Sequence, residues 1–149
     1  MKLVRGKICI TAFLLAFYRA GLAADQCMVS AQKGVKIFND LREILAQEIP
    51  LMKFQDHPYA PEFKKWNDLD LKFDREYDQS LIDFPISMPA LCTNNRVSDS
   101  LLSLIEARVF LVSAHDHLVT DQDASEDLMN AFSEFQDAQK SMRLLSRHK

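Results

Sequence analysis

Glycine is scarce in this sequence: the chain contains three, and only Gly34 lies beyond residue 24. There is no GxSxG motif, and so little glycine leaves few flexible positions for building an oxyanion hole, so nucleophilic catalysis is poorly supported. The motifs CxxC and CxxCH are also missing, which removes the usual signs of dithiol redox chemistry and of covalently attached haem. These absences predict a protein that is not an enzyme.

The first 24 residues differ in composition from the rest of the chain. Lys2, Arg5 and Lys7 precede an apolar run over residues 8–17, and small residues follow at positions 20, 21, 23 and 24. This order is typical of a secretory signal peptide, and the run is shorter than the roughly 20 residues that a membrane span needs. An uncleaved anchor or a buried helix is the alternative. We predict a signal peptide over 1–24, one mature domain over 25–149, and a periplasmic or secreted location.

The predicted mature chain is acidic, and it keeps two cysteines. Its 14 basic and 21 acidic residues give a net charge of −7, which repels nucleic acid and anionic membranes, so neither is expected as a partner and no membrane insertion is predicted. Removal of the leader takes Cys9 with it and leaves Cys27 and Cys92. An even pair in an oxidising compartment predicts a disulfide, and closing this loop would contribute about 4 kcal/mol of stability.

Apolar residues recur with a period near 3.6, which predicts helices. We expect four of them, over residues 28–49, 61–82, 97–120 and 124–147. Pro50 ends the first, and Pro61 is well suited to start the second. The predicted fold class is all-α: an up-down-up-down four-helix bundle with one disulfide, because four amphipathic helices with short connections pack best in this way. That order places Cys27 and Cys92 at the same end of the bundle.

Two connections are apolar and contain proline, over residues 50–60 and 83–91. In the second, Phe84, Ile86 and Met88 alternate with other residues, which predicts an extended stretch. The two connections either plug the ends of the bundle or form a docking surface for a protein partner. We take Phe84, Ile86 and Met88 as the candidate partner-binding loop.

Histidine spacing does not predict a metal site, and no cofactor is expected. His115 and His117 are two residues apart, which places them on different faces of a helix. The acidic stretch over 121–132 lacks the glycine and the closing carboxylate of a calcium loop. A haem carrier would use Met28 and His148, but His148 lies away from the apolar face and beside the chain end, where fraying is expected.

Polar side chains interrupt the apolar stripes of the second and third helices. Asp70 lies near the centre of its stripe, close to Trp66 and Tyr77, and both Arg108 and His115 lie within the stripe of the third helix. If the two helices are antiparallel neighbours, Asp70 faces position 109 and pairs with Arg108, as burial demands of charges. The cluster is either a structural ion pair with a satisfied histidine, or a cavity in which Arg108 anchors an anion.

Elimination leaves a binding protein as the predicted function. We expect an exported, non-catalytic helical-bundle protein that binds a protein partner, such as an inhibitor, an immunity-type protein or an accessory factor. The alternative is a periplasmic sensor or carrier that holds a small anionic ligand near Arg108, and a third possibility is a b-type haem carrier. The sequence does not indicate the partner or the oligomeric state.

Overall fold

A computed structural model describes the backbone of residues 5–146 and the side chains of residues 26–145. Within these residues the chain is all-helical, with four helices packed against each other, which confirms the all-α part of the predicted fold class. The four α-helices are α1 (Arg5–Glu48), α2 (Pro61–Asp83), α3 (Asn95–Val119) and α4 (Ser125–Ser146), and two short 3-10 segments cover Ile49–Phe54 and Met88–Leu91. Among the described residues no helix is both long and apolar enough to cross a membrane.

The bounds of α2, α3 and α4 agree with the predicted ones to within two residues. Pro61 begins α2, and the side chain of Asn94 caps α3 by accepting from the backbone N–H groups of Arg96 and Val97. The first helix differs, because it begins at Arg5 and not at Met28. No proline occurs before Pro50 to interrupt it. The predicted signal peptide falls on this added stretch, whose side chains lie outside the described residues.

The disulfide between Cys27 and Cys92 is present, as predicted, with 6.0 Å between the two Cα atoms. It joins α1 to the short segment that precedes α3. Cys27 is 3% exposed and belongs to the apolar core. The disulfide therefore ties the segment between α2 and α3 to the side of α1.

The core lies mainly between α1, α3 and α4. The backbone of α3 packs against α4 and α1. The backbone of α2 packs against α1 and against the 3-10 segment Ile49–Phe54 that follows α1. Phe38 of α1 stacks on Phe135 of α4, with ring centroids 4.2 Å apart. Long side chains provide the contacts that join α2 to α3, and His115 stacked on Phe73 is one of them.

The connection between α2 and α3 plugs the bundle. Phe84 is 1% exposed, and its ring lies against Gly34, where an added Cβ would be 2.9 Å from Phe84 Cζ. Glycine at this place in a helix costs about 1 kcal/mol relative to alanine, but the close approach of Phe84 means that an added Cβ would force the ring to shift. The prediction of an extended stretch is wrong, because Ile86 and Ser87 form a turn that is closed by a hydrogen bond from the N–H of Met88 to the backbone oxygen of Pro85.

Candidate functional site

Three ionisable side chains meet where the end of α1 passes α2 and α3. The Nε2 atom of His115 lies 3.2 Å from Oε2 of Glu48 and 3.3 Å from Oδ1 of Asp70. The side chains of Glu48 and His115 are 0% and 5% exposed, whereas that of Asp70 is 22% exposed. We call these three residues the Glu-Asp-His cluster. It is buried on the α1 and α3 sides and reaches solvent beside α2.

Helix periodicity and one aromatic stack position the cluster. Glu48 is the last residue of α1 and lies on the apolar stripe that also carries Leu41 and Leu45. The ring of His115 stacks on Phe73, with centroids 4.1 Å apart and an interplanar angle of 9°. Phe73 follows Asp70 by three residues on α2, so both lie on the same face of that helix. The stack thus holds Nε2 of His115 toward the two carboxylates.

The charges of the cluster act on one another strongly. Burial lowers the pKa of His115, but its contact with Glu48 and the negative charges of Glu48 and Asp70 outweigh burial, and the pKa is raised above its ordinary value. Burial raises the pKa of Asp70, and the negative charge of Glu48 raises it further. A positive charge between the two carboxylates is therefore favoured.

Hydrogen bonds within the described part of the chain do not satisfy this cluster. Both carboxylate oxygens of Glu48 and Nε2 of His115 are buried without a hydrogen-bond partner. The 3.2 Å contact between them is close enough for an ion pair but lacks the angles of a hydrogen bond. Buried polar atoms in folded proteins are almost always paired, so three orphaned atoms at one place require an explanation. One ligand atom from each residue lies within 4.8 Å of the other two, a spacing that can hold a metal ion.

Arg108 lies apart from the cluster and closes the end of α2. Its Nη1 atom donates to the backbone oxygens of Ser80 and Phe84, each at 2.8 Å, and the guanidinium lies over the ring of Phe84 at 5.6 Å. These oxygens belong to the last turn and the C-cap of α2, where a cation is also favoured by the helix dipole. Burial lowers the pKa of Arg108. With 1% exposure, the residue serves the α2–α3 connection.

The predicted pairing of Asp70 with Arg108 is not formed. Asp70 contacts His115, which lies seven residues beyond Arg108 along α3. The register therefore differs from the predicted one by about two helical turns. The physical reason is that the connection between α2 and α3 lies along the first turns of α3, where Pro89 meets Ser98 and Phe84 meets Arg108. The contacts of α2 therefore begin further along α3 than predicted.

The remaining predicted site residues are Tyr77 and Trp66, both on α2. Tyr77 is partly buried against the core and lies close enough to Arg108 to oppose, by its charge, the lowering of the pKa of the guanidinium. Trp66 packs at a tilt on Phe63, with ring centroids 5.6 Å apart, and its Nε1 atom is buried without a partner among the described residues. Asp70 and His115 thus contact each other, whereas Arg108 contacts Ser80 and Phe84. The five residues predicted as one cluster are Trp66, Asp70, Tyr77, Arg108 and His115.

The candidate partner-binding loop contains one exposed residue and two that face inward. Phe84 is buried and Met88 packs against the core, whereas Ile86 is 67% exposed. Other large apolar side chains near Ile86 in the sequence are also exposed: Leu81, Ile82 and Leu91. We call Leu81, Ile82, Ile86 and Leu91 the apolar rim.

Sequence reasoning missed Glu48, although a signal was present. Glu48 follows Leu45 by three residues and Leu41 by seven, so it falls on the apolar stripe of α1. The criterion that singled out Asp70 would have singled out Glu48 as well. With Glu48 included, His115 would have gained a second carboxylate from another helix.

The possible haem ligands of the sequence are not brought into one site that can be described. Met28 packs against the core, and His148 lies outside the described residues. Comparisons with protein-family models, with curated proteins and with solved structures find no match to this chain.

Proposed function

We propose that this chain is an exported, non-catalytic helical protein that binds a protein partner through the apolar rim. The observation that carries the proposal is the exposure of Ile82 at 75%, Ile86 at 67% and Leu91 at 64% within one short segment. Burial of such apolar surface by a partner would stabilise the complex by about 25 cal/mol for each Å² that is removed from water. The net charge of −7 predicted for the mature chain favours a partner whose apolar groove is bordered by basic side chains.

The rim is held in place before any partner arrives. Phe84 fills the space beside Gly34, Arg108 binds the backbone oxygen of Phe84, and the disulfide fixes Cys92 one residue after the rim ends. A loop already fixed in one conformation loses less conformational entropy on binding. This arrangement supports a docking role for the side chains that point outward from the segment.

Export and the up-down-up-down order are parts of the same proposal. A disulfide between Cys27 and Cys92 suits an oxidising compartment and agrees with the predicted signal peptide. The order is supported by two contacts between α2 and α3: Arg108 meets Ser80, and His115, further along α3, meets Phe73, which is earlier in α2. In antiparallel neighbours, residues later in one helix are expected to contact residues earlier in the other.

The alternative of an anion held at Arg108 keeps one favourable observation. Its Nε and Nη2 atoms are buried without hydrogen-bond partners in the described residues, and a small anion could accept from both. Titration of the disulfide-bonded protein with phosphate tests this alternative. Saturable binding that Arg108→Lys weakens would favour it, because lysine lacks the planar fork that binds an anion through two nitrogens.

Capture from the native extract, compared across matched variants, tests the partner-binding proposal. The rim variant is Ile82→Ser with Ile86→Ser, and the control is Leu102→Ser with Val109→Ser, which removes two half-exposed apolar side chains of α3. All of these changes should alter stability by about 0.5 kcal/mol or less each. We expect a protein that the wild type and the control retain and the rim variant does not. Equal retention by all three would contradict the proposal.

A further inference from the structure

We propose that the Glu-Asp-His cluster is a binding site for a divalent transition-metal ion of the zinc type, with Glu48, Asp70 and His115 as its ligands. The site lies away from the apolar rim. Glu48 follows Cys27 by 21 residues in α1, which is about 30 Å along the helix. The proposed metal site therefore does not depend on the partner-binding proposal.

The distances within the cluster suit such an ion. A tetrahedral ion with bonds of about 2.0–2.1 Å to nitrogen and oxygen holds its ligand atoms about 3.3 Å apart. The Nε2 atom of His115 lies 3.2 Å from a Glu48 oxygen and 3.3 Å from an Asp70 oxygen. The two carboxylate oxygens are within 4.8 Å of each other, and Asp70, at the exposed edge, has room to adjust. The two distances from Nε2 of His115 are therefore those that a tetrahedral ion requires.

A metal ion also explains two of the three orphaned atoms, namely one carboxylate oxygen of Glu48 and Nε2 of His115. One proton on Nε2 of His115 can point at only one carboxylate, although two lie at nearly equal distances. The buried carboxylate of Glu48, which is 0% exposed, has both oxygens without a hydrogen-bond partner. A metal ion accepts a lone pair from each ligand, and the charge of a divalent ion balances the two carboxylates beside a neutral imidazole. Burial of charge is tolerated when it is balanced in this way.

The donor set selects the class of ion. Imidazole nitrogen suits zinc, iron, copper and nickel, whereas calcium takes six to eight oxygen ligands and magnesium prefers oxygen in an octahedral arrangement. Three protein ligands leave one position of a tetrahedral ion for water on the exposed side, beside Asp70. Because the ligands come from α1, α2 and α3, the ion would join three helices at one point and stabilise the folded state by its binding free energy.

The test uses the full disulfide-bonded chain after treatment with a chelator. Zinc is titrated by calorimetry, and cobalt(II) is titrated by visible absorption, because tetrahedral cobalt absorbs more strongly than the hydrated ion. The variants are Glu48→Gln and His115→Gln. The control is His117→Gln, which removes another histidine of α3 whose Nδ1 lies 2.6 Å from Asp127. We expect one zinc per chain in the wild type and the control, with affinity at least ten-fold weaker in the two ligand variants.

Asp70→Asn keeps the proposal testable if a buried substitution prevents folding. Asp70 is partly exposed and asparagine has nearly the same shape, so this variant should fold, which circular dichroism would check. It should also bind zinc at least ten-fold more weakly and lose the tetrahedral cobalt absorption. Absence of stoichiometric zinc binding in the wild type would overturn the proposal. Undiminished binding in the folded Asp70→Asn variant, or calcium bound more tightly than zinc, would also overturn it.

Discussion

Replacement of Arg108 by methionine tests how the end of α2 is held. Arg108 is 1% exposed, and its Nη1 atom supplies a hydrogen bond to each of two backbone oxygens, those of Ser80 and Phe84. Methionine has a similar length and fills irregular space well. Arg108→Met therefore removes the donors and the charge while keeping most of the packing.

The expected effect follows from what the substitution leaves behind. The backbone oxygen of Phe84 loses its partner, and a buried unpaired polar group costs about 1–3 kcal/mol. The backbone oxygen of Ser80 keeps the N–H of Phe84 as a donor but loses a hydrogen bond from a charged group, which contributes about 1.5–3 kcal/mol. The loss is partly offset, because the variant no longer buries a guanidinium, whose pKa is lowered by that burial. We expect Arg108→Met to reduce the free energy of unfolding by about 2–4 kcal/mol, measured by urea denaturation of the disulfide-bonded protein.

A double-mutant cycle shows which residues share the effect. Asp70 contacts His115 and not Arg108, so Asp70→Leu and Arg108→Met should be additive to within about 0.5 kcal/mol. Phe84→Leu should couple to Arg108→Met by more than this, because the guanidinium lies over the Phe84 ring. A neutral Arg108→Met would refute the capping argument. Strong coupling to Asp70 would restore the ion pair that the sequence predicted.

Further substitutions test the plug and a like-charge contact between α3 and α4. Gly34→Ala should lower the melting temperature, because overpacking against Phe84 costs about 1–3 kcal/mol, whereas the gain in helix propensity is only about 1 kcal/mol. An unchanged or higher melting temperature would contradict the close approach of Phe84 to Gly34. Phe84→Ala should cost about 3–5 kcal/mol in urea denaturation, and Ile86→Ser about 0.5 kcal/mol or less; similar losses would mean that the plug is misplaced. Burial and the charge of Glu134 raise the pKa of Glu106. Glu106 therefore binds its proton more tightly in the folded protein than in the unfolded chain, and its contribution to stability falls as the pH rises through the raised pKa. Glu134→Gln should lower the pKa of Glu106 in an NMR titration, and an unchanged value would exclude the contact.

Local features of the fold could be predicted from the sequence because they depend on residues that are near one another in the chain. The start of α2 follows from Pro61, and the apolar period places α3 and α4 to within two residues. The disulfide followed from counting the cysteines that remain after residue 24. The early start of α1 was missed because the first residues were assigned to a signal peptide and left out of the helix prediction.

The contacts between helices could not be predicted in the same way. An apolar stripe shows which face of a helix is buried but not which helix covers it. The prediction assumed that α2 and α3 lie side by side, which paired Asp70 with Arg108. Because the connection after α2 lies along the first turns of α3, Asp70 instead reaches His115, and it meets Glu48 from the end of α1. The prediction compared only α2 with α3, so it could not include Glu48, which lies on α1.

The placement of the polar groups follows from the weak apolar attachment of α2. Phe73 and Ser80 are its buried residues, whereas α3 buries ten. Hydrophobic burial therefore stabilises α2 less than it stabilises α3. Polar contacts supply the rest along its length: Asp70 reaches the Glu-Asp-His cluster, Arg108 caps the carbonyls of the last turn, and Asp83 pairs with Lys33 of α1 at 2.9 Å. The proposed metal ion would act where α2 contacts both α1 and α3 through charged side chains, so metal binding and the attachment of α2 would be thermodynamically linked.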